Sequence, residues 1–275
     1  MNRLISYGFI ILTIYLFILE GNGTQYTQIF IGITLSVIVA YSAFFLNWIT
    51  LDATLPVMVL GTIILGFGGW WLALAVIFFF ISSSYLTHRN RYRTIRLSDK
   101  DLPQKDSSNR RDGIQVWANG FWMILFTYFW FLLQSDAFLI AAFAAIATAT
   151  ADTWATEMGT EKPGVTKNIL TREIVKPGTD GGVSFVGTVA SLAGAFIIAL
   201  FTISLHVDVN TLFLILIVSI AGFLGCVIDS YIGAVYQSGK PDKTGLSKIV
   251  PKNSIVNWLS TGIGGIIALL LYSIV

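Results

Sequence analysis

Two apolar segments of the chain contain aspartates, although burying an ionisable group in an apolar segment costs free energy. Asp152 ends a run rich in alanine and threonine, and Asp229 lies on a stripe of small residues within the apolar segment 222–233. A carboxylate held between close helices in a membrane needs a proton, a cationic partner or a metal ion. We therefore expect Asp152 and Asp229 to be catalytic residues and ligands of a hard cation such as Mg²⁺.

Both aspartates also have a simpler interpretation. Asp152 and Glu157 could lie beyond the hydrocarbon at a wet helix end, and small residues around Asp229 could serve ordinary helix packing. Thr148 and Thr150, which lead into Asp152, favour the functional interpretation. In that interpretation Glu157 assists catalysis or acts on a second phosphate-bridging cation. The small residues on the helix stripe of Asp229 are Gly222, Gly225, Cys226 and Gly233.

A glycine-rich stretch between these segments leads directly into the next apolar run. Glycine lets the backbone approach a ligand, and a helix N-terminus presents unpaired N–H groups. The stretch could thus cradle a phosphate, although a plain turn capped by Thr179 or Asp180 would have the same composition. The predicted nucleotide- and phosphate-binding residues are Lys176, Gly178, Thr179, Asp180, Gly181, Gly182 and Ser184.

Two pairs of amides lie at the ends of other apolar segments. Gln115 and Asn119 are one helical turn apart, as are Asn253 and Asn257. We assign all four to positioning of the substrate, while interhelical hydrogen bonding explains either pair equally well.

The composition sets the class of protein that must position these groups. Of the 275 residues 55% are apolar and 12% are charged, and the mean hydropathy is +0.75. Too few polar side chains remain to cover a water-facing surface, which excludes a soluble enzyme, a nucleic-acid-binding module and a disordered chain. A single cysteine excludes a disulfide framework, and two distant histidines do not suggest a zinc site.

Apolar runs long enough to cross a bilayer recur along the whole chain. The stretch 51–87 is too long for one span, and glycines interrupt its middle, so it is either two short spans or a re-entrant pair. The remaining runs are 3–19, 28–48, 115–133, 137–158, 182–205, 211–236 and 254–274.

The basic residues choose between these topologies. All 17 Lys and Arg residues lie at Arg3 or in the connections 88–114, 159–181 and 237–253. If 51–87 crosses twice, every one of them falls on the same side, as cytoplasmic loops require. We predict one all-α membrane domain over 1–275, with about nine helices and a cytoplasmic N-terminus, in the cell membrane.

Phosphoryl transfer needs charge neutralisation more than covalent chemistry, and this set of residues suits it. Carboxylates would hold magnesium, and backbone N–H groups with a lysine would hold a nucleotide phosphate. The motifs that carry these groups also resemble a membrane-protein family that includes animal transmembrane protein 19 and the chloroplast phytyl-phosphate kinase. The matching stretches are 115–120, 151–159, 177–187 and 222–230.

A more distant pattern points to the nucleotide. This pattern consists of Asp152, Ala155 and Gly159, followed by Lys176, Gly178 and Thr179. It is similar to a motif of CTP-dependent dolichol and phytol kinases and of CDP-diacylglycerol synthases. Those enzymes usually have Glu where this chain has Pro177. The resemblance implies a CTP- or ATP-dependent, magnesium-dependent kinase, with CTP favoured.

The resulting hypothesis is a kinase that converts an isoprenoid monophosphate to its diphosphate at the cytoplasmic face. Its partners would be the lipid substrate, the nucleotide and membrane lipids, with no nucleic acid and with self-association left open. The alternatives are a transporter or flippase of a lipid-linked anion and a membrane cytidylyltransferase.

Overall fold

The structure, a computed structural model, describes residues 1–20, 23–97, 110–161, 164–207, 209–236 and 250–275. The described residues leave out part of each predicted basic loop, namely 98–109, 162–163 and 237–249. Within the described ranges the chain forms α1 (Asn2–Glu20), α2 (Gly23–Phe45), α3 (Leu51–Ile63), α4 (Gly69–Leu97), α5 (Gly113–Leu133), α6 (Asp136–Glu161), α7 (Phe185–Leu200), α8 (Thr211–Tyr236) and α9 (Lys252–Tyr272).

The stretch 51–87 folds as two helices that form a V. A π-helical turn, Ile64–Gly68, extends α3, and the chain reverses at Gly69, whose φ of +78° is accessible mainly to glycine. Phe67 at the tip packs against Phe131 near the end of α5, with ring centroids 4.5 Å apart. Trp48, before α3, packs against Phe80 of α4 at 5.8 Å. The pair therefore crosses the bundle twice, as the charge distribution predicted.

This hairpin accounts for the predicted count of about nine helices. Seven segments of the described chain are apolar and long enough to span a membrane, and one of them, Leu51–Asn90, contains α3 and α4 as far as Asn90. The shorter apolar helix Asn2–Leu16 adds the first element. The protein is an all-α polytopic membrane protein, because a helix satisfies its backbone hydrogen bonds within lipid.

Successive helices alternate in direction, so one end of the bundle collects the basic connections. We call this end, where α1, α3, α5, α7 and α9 begin, the basic face. The Asn2 side chain donates to the Asp52 carboxylate over 2.8 Å, and Arg89 pairs with Glu161 over 2.7 Å. These contacts bring the N-terminus and the ends of α4 and α6 to the same face.

Helix α6 lies at the centre of the bundle. Its residues from Leu139 to Ala151 are buried, and it packs against α4, α5, α7, α8 and α9. Alanine and threonine dominate this stretch, and their small side chains let five helices approach closely. The central position explains why a polar residue at the basic end of α6 can be reached from several helices.

The predicted span 182–205 begins later than expected. Gly182–Ser184 forms strand β3, which pairs with β1 (Thr166–Asn168), and β1 also pairs with β2 (Ile174–Val175), all antiparallel. Helix α7 starts only at Phe185, with Ser184 as its N-cap. The loop predicted over 159–181 therefore contains the end of α6, to Glu161, and the strands β1 and β2, while β3 takes the first residues of the predicted span. The hydrophobic periodicity does not indicate these strands, because each has only two or three residues.

Candidate functional site

The site is built where α6 and α8 run side by side. A Cβ atom at Gly222 would meet Ala147, and one at Gly225 would meet Thr148, so the small stripe of α8 packs directly on α6. One turn further towards the basic face, this register brings Asp229 against Asp152. The two carboxyl groups lie within hydrogen-bonding reach of each other.

Helix α9 completes the surroundings of this carboxylate pair. Ser260 donates a hydrogen bond to Oδ2 of Asp229 over 2.8 Å, and Asp229 is only 9% exposed. Two carboxylates in contact repel each other unless a proton or a cation lies between them. Their oxygen ligands fit magnesium, which is held by one or two carboxylates with water and phosphate oxygens in the remaining positions. The described residues contain no cluster of three or more His, Cys, Asp or Glu side chains that could form an all-protein metal cage.

A polar cavity of about 740 Å³ opens beside the pair, a volume in the range of small-molecule sites. It gathers nearly all of the residues singled out in the sequence. Those in its lining are Gln115, Asn119, Asp152, Glu157, Gly178, Thr179, Asp180, Gly181, Gly182, Ser184, Asp229, Asn253 and Asn257.

Lys176 is the exception among the predicted phosphate-binding residues. Its side chain is exposed at the turn before Gly178 and does not belong to the cavity lining within the described part of the chain. The backbone carbonyl of Lys176 accepts a hydrogen bond from the Thr179 hydroxyl over 2.7 Å and so closes the turn.

Tight backbone packing holds the glycine turn against the bundle. Gly178 and Gly181 have φ values of +83° and +72°, and a Cβ at Gly181 would overlap Ala234 of α8. The Gly182 N–H donates to the Thr179 carbonyl over 2.8 Å. The turn is therefore docked on α8, one and a half turns from Asp229. Ser184 caps α7 by accepting from the Gly187 N–H over 3.1 Å, so its hydroxyl is engaged in the helix start.

Glu157 is held by α4 and lies near an arginine. Its carboxylate accepts from the Thr87 hydroxyl over 2.5 Å and from the Asn90 amide over 2.7 Å. The negative charge of Glu157 also acts on Arg111, where it opposes the effect of burial. Burial lowers the pKa of Arg111 to about 10, which leaves the guanidinium charged at neutral pH.

The amide residues form the hydrogen bond between helices that was weighed as an alternative. The Asn257 side chain of α9 donates to Oδ1 of Asn119 on α5 over 3.3 Å. Gln115 forms a capping box with Asp112 at the start of α5, since each side chain accepts from the other's backbone N–H. These residues border the cavity while also fixing the ends of α5 and α9.

Sequence reasoning overlooked the arginines of the site. Arg110 and Arg111 line the cavity, whereas the sequence pattern placed them in the basic connection 88–114 without assigning them to the site. A signal was available: both directly precede Asp112, Gln115 and Asn119, the polar stripe that begins α5. Their backbone is fixed there, because the Arg111 N–H donates to Trp48 and its carbonyl accepts from Thr50, both over 3.0 Å.

Comparisons with known proteins agree with a membrane bundle. A family model described as integral membrane protein DUF92 matches residues 34–265. An uncharacterised membrane protein of Methanocaldococcus jannaschii is 32% identical over 220 residues, which are 78% of this chain and 82% of that protein. Protein PGR of Arabidopsis thaliana is 38% identical over 95 residues, 31% of this chain and 33% of that protein. No solved structure matches.

Proposed function

Since the chain belongs to the DUF92 family of integral membrane proteins, we propose from its cavity that it is a magnesium-dependent kinase. It would transfer the γ-phosphoryl group of a nucleoside triphosphate to an isoprenoid monophosphate at the cytoplasmic face of the cell membrane. The observation that carries the proposal is the contact between Asp152 and Asp229 beside a cavity that also contains the glycine turn and two arginines.

The charges of the cavity support a cation-dependent reaction of anions. Its described lining includes four carboxylates, of Asp152, Glu157, Asp180 and Asp229, against the two guanidinium groups of Arg110 and Arg111. The carboxylates would repel a nucleoside triphosphate unless a cation neutralises part of their charge, whereas the arginines favour a phosphate beside them. Asp152 and Asp229 would hold a magnesium ion, which would supply positive charge to offset the negative charge that develops during transfer.

The other residues then have separate tasks. Backbone N–H groups of the turn at Gly178 and Gly181 would bind nucleotide phosphates, as such turns do elsewhere. The Gly182 N–H would keep the turn closed through its hydrogen bond to the Thr179 carbonyl. Arg111 would attract the phosphate of the lipid acceptor. Glu157, which is hydrogen-bonded to α4, would act as a positioning residue that keeps α4 and Arg111 beside the cavity.

The proposed step needs no strong base. An oxygen of the acceptor monophosphate, already ionised at neutral pH, attacks the γ-phosphorus. The bond to the β,γ-bridging oxygen breaks, and the nucleoside diphosphate leaves with the electron pair. The described cavity lining contains no histidine, which suits this chemistry. The resemblance to transmembrane protein 19 and the phytyl-phosphate kinase supports an isoprenoid acceptor and, through the more distant motif, CTP over ATP.

The test uses the purified protein in detergent with Mg²⁺, phytyl or geranylgeranyl monophosphate, and CTP or ATP labelled at the γ-phosphate. Label in a prenyl diphosphate after lipid extraction would establish the kinase. A lack of transfer from either nucleotide to several chain lengths would refute it and favour transport. A repeat with CTP labelled at the α-phosphate would identify a cytidylyltransferase if the label then appears in the lipid.

A further inference from the structure

A second cavity, of about 450 Å³, lies inside the V formed by α3 and α4. Helices α2 and α5, together with Ile146 of α6, supply its other walls. Trp48 lines its end at the basic face, and Trp70 lines the opposite end. Ile38 and Ile81 border it and are 55% and 49% exposed, so this groove opens sideways towards lipid.

The groove is apolar almost throughout. Apart from the two indole rings, the polar side chains in its described lining are those of Ser36, Ser42, Arg111 and Asn119. The Ser36 hydroxyl is engaged with the Ile33 carbonyl over 3.0 Å. Arg111 is therefore the one charged side chain that the described residues present to the groove.

Arg111 and Asn119 line both the apolar groove and the polar cavity. The Arg111 guanidinium lies over the Phe79 ring, 4.9 Å from its centroid. The described residues contain one close salt bridge, between Arg89 and Glu161, and Arg111 is not part of it. The N–H donors of Arg111 thus lie between the apolar groove and the polar cavity that contains the carboxylate pair.

We propose that the groove binds the hydrocarbon chain of a single-chain lipid monophosphate, and that Arg111 and Asn119 hold the phosphate where groove and cavity meet. Charge complementarity at the junction selects an anion, and the single channel between α3 and α4 selects one chain. The statement that this phosphate then accepts a phosphoryl group rests on the proposed kinase function. The binding of the lipid can be measured separately.

The first experiment locates the chain on the wild-type protein. A long-chain alkyl monophosphate with a diazirine at its end is irradiated with the protein, and the labelled peptides are identified by mass spectrometry. We expect label in 35–46 and 70–81, removed by excess phytyl monophosphate. Label spread over outer helices, or competed equally by a two-chain phosphatidic acid, would overturn the proposal.

The second experiment tests the head-group contact. The same probe is compared with the matching diazirine alcohol, which lacks the phosphate. Wild-type protein should label more strongly with the phosphate probe, and Arg111→Gln should abolish this preference while the alcohol labels both proteins alike. Equal labelling of the wild type by the two probes would contradict the role of Arg111.

The third experiment blocks the groove with a matched pair of substitutions. Val39→Trp fills the groove from α2, and Val189→Trp places the same side chain on the lipid-facing side of α7, where Val189 is 49% exposed. Val39→Trp should raise the KM for phytyl monophosphate about tenfold, the effect of excluding roughly two methylenes. In Val39→Trp, the KM for dimethylallyl monophosphate and the KM for the nucleotide should stay unchanged.

These results separate the two proposals. Localised, competed labelling without phosphoryl transfer would keep the groove assignment and reject the kinase. Phosphoryl transfer with an unaltered KM in a folded Val39→Trp protein would keep the kinase and reject the groove.

Discussion

The carboxyl groups of Asp152 and Asp229 touch because α6 and α8 run parallel in a constant register. Thr148 meets Gly225 one turn before the aspartates meet each other. Close packing of small residues thus creates a like-charge contact that would be unfavourable without a proton or a cation. In the proposed function, a magnesium ion held by the two carboxylates would offset this repulsion.

Asp152→Asn and Asp229→Asn should each reduce phosphoryl transfer by about a hundredfold or more, since a preorganised charge contact is lost. Each should also raise the thermal stability measured without Mg²⁺, because one of the two repelling charges is removed. Wild-type protein should gain stability on addition of Mg²⁺ and the variants should not. The readouts are label transfer and thermal unfolding in detergent, and an unchanged Mg²⁺ response in both variants would reject the metal assignment.

Arg111→Lys should make acceptor binding sensitive to alkaline pH. Burial lowers the pKa of Arg111 to about 10, so the wild-type side chain remains a cation up to about pH 9. A lysine starts from an ordinary pKa of about 10.4, and the same burial lowers it further. Because the cation is lost as pH rises, the KM for the lipid monophosphate should climb in the variant between about pH 8 and 9.

Kinetics at several pH values measure this difference. The KM of the wild type should be flat over the same interval, and the nucleotide KM serves as the internal control. Parallel pH profiles for wild type and Arg111→Lys would show that the charge of this side chain does not bind the acceptor.

Gly181→Ala should weaken nucleotide binding. The added Cβ would overlap Ala234 of α8, and the φ of +72° is strained for alanine, so the turn must shift away from α8. We expect the nucleotide KM to rise about tenfold, on the order of the 1–2 kcal/mol cost of such strain. Gly164→Ala, in the same connection but with nothing within 4 Å of its Cβ, should leave the KM unchanged. Equal effects of the two variants would show that docking of the turn is irrelevant.

Gly225→Ala should destabilise the bundle by about 1–3 kcal/mol, because its Cβ would overlap Thr148 at the contact between α8 and α6. Gly8→Ala is the matched control. Its Cβ would meet nothing within 4 Å, so this change in α1 should be neutral or should stabilise by about 0.5–1 kcal/mol through helix propensity. Unfolding titrations in mixed micelles compare the two variants, and Thr148→Ala should partly restore the stability of Gly225→Ala.

The sequence predicted the class of fold and much of the residue set. Hydrophobic runs and the segregation of Lys and Arg required a polytopic bundle of about nine helices, because span length and loop charge are local properties of the chain. The same reasoning singled out Asp152 and Asp229, since a carboxylate in an apolar helix is conspicuous by itself. The predicted stripe of small residues around Asp229 also identifies the face on which α8 meets α6.

Only the tertiary structure decided which groups become neighbours. The reversal at Gly69 folds 51–87 into the V whose interior is the apolar groove, and the short strands β1 to β3 dock the glycine turn on α8. These contacts also determine that Arg111 and Glu157 line the cavity and that Lys176 does not. A basic residue at the start of a helix gives the same sequence pattern whether it faces water, lipid head groups or a cavity. Its surroundings come from helices that are distant in the chain.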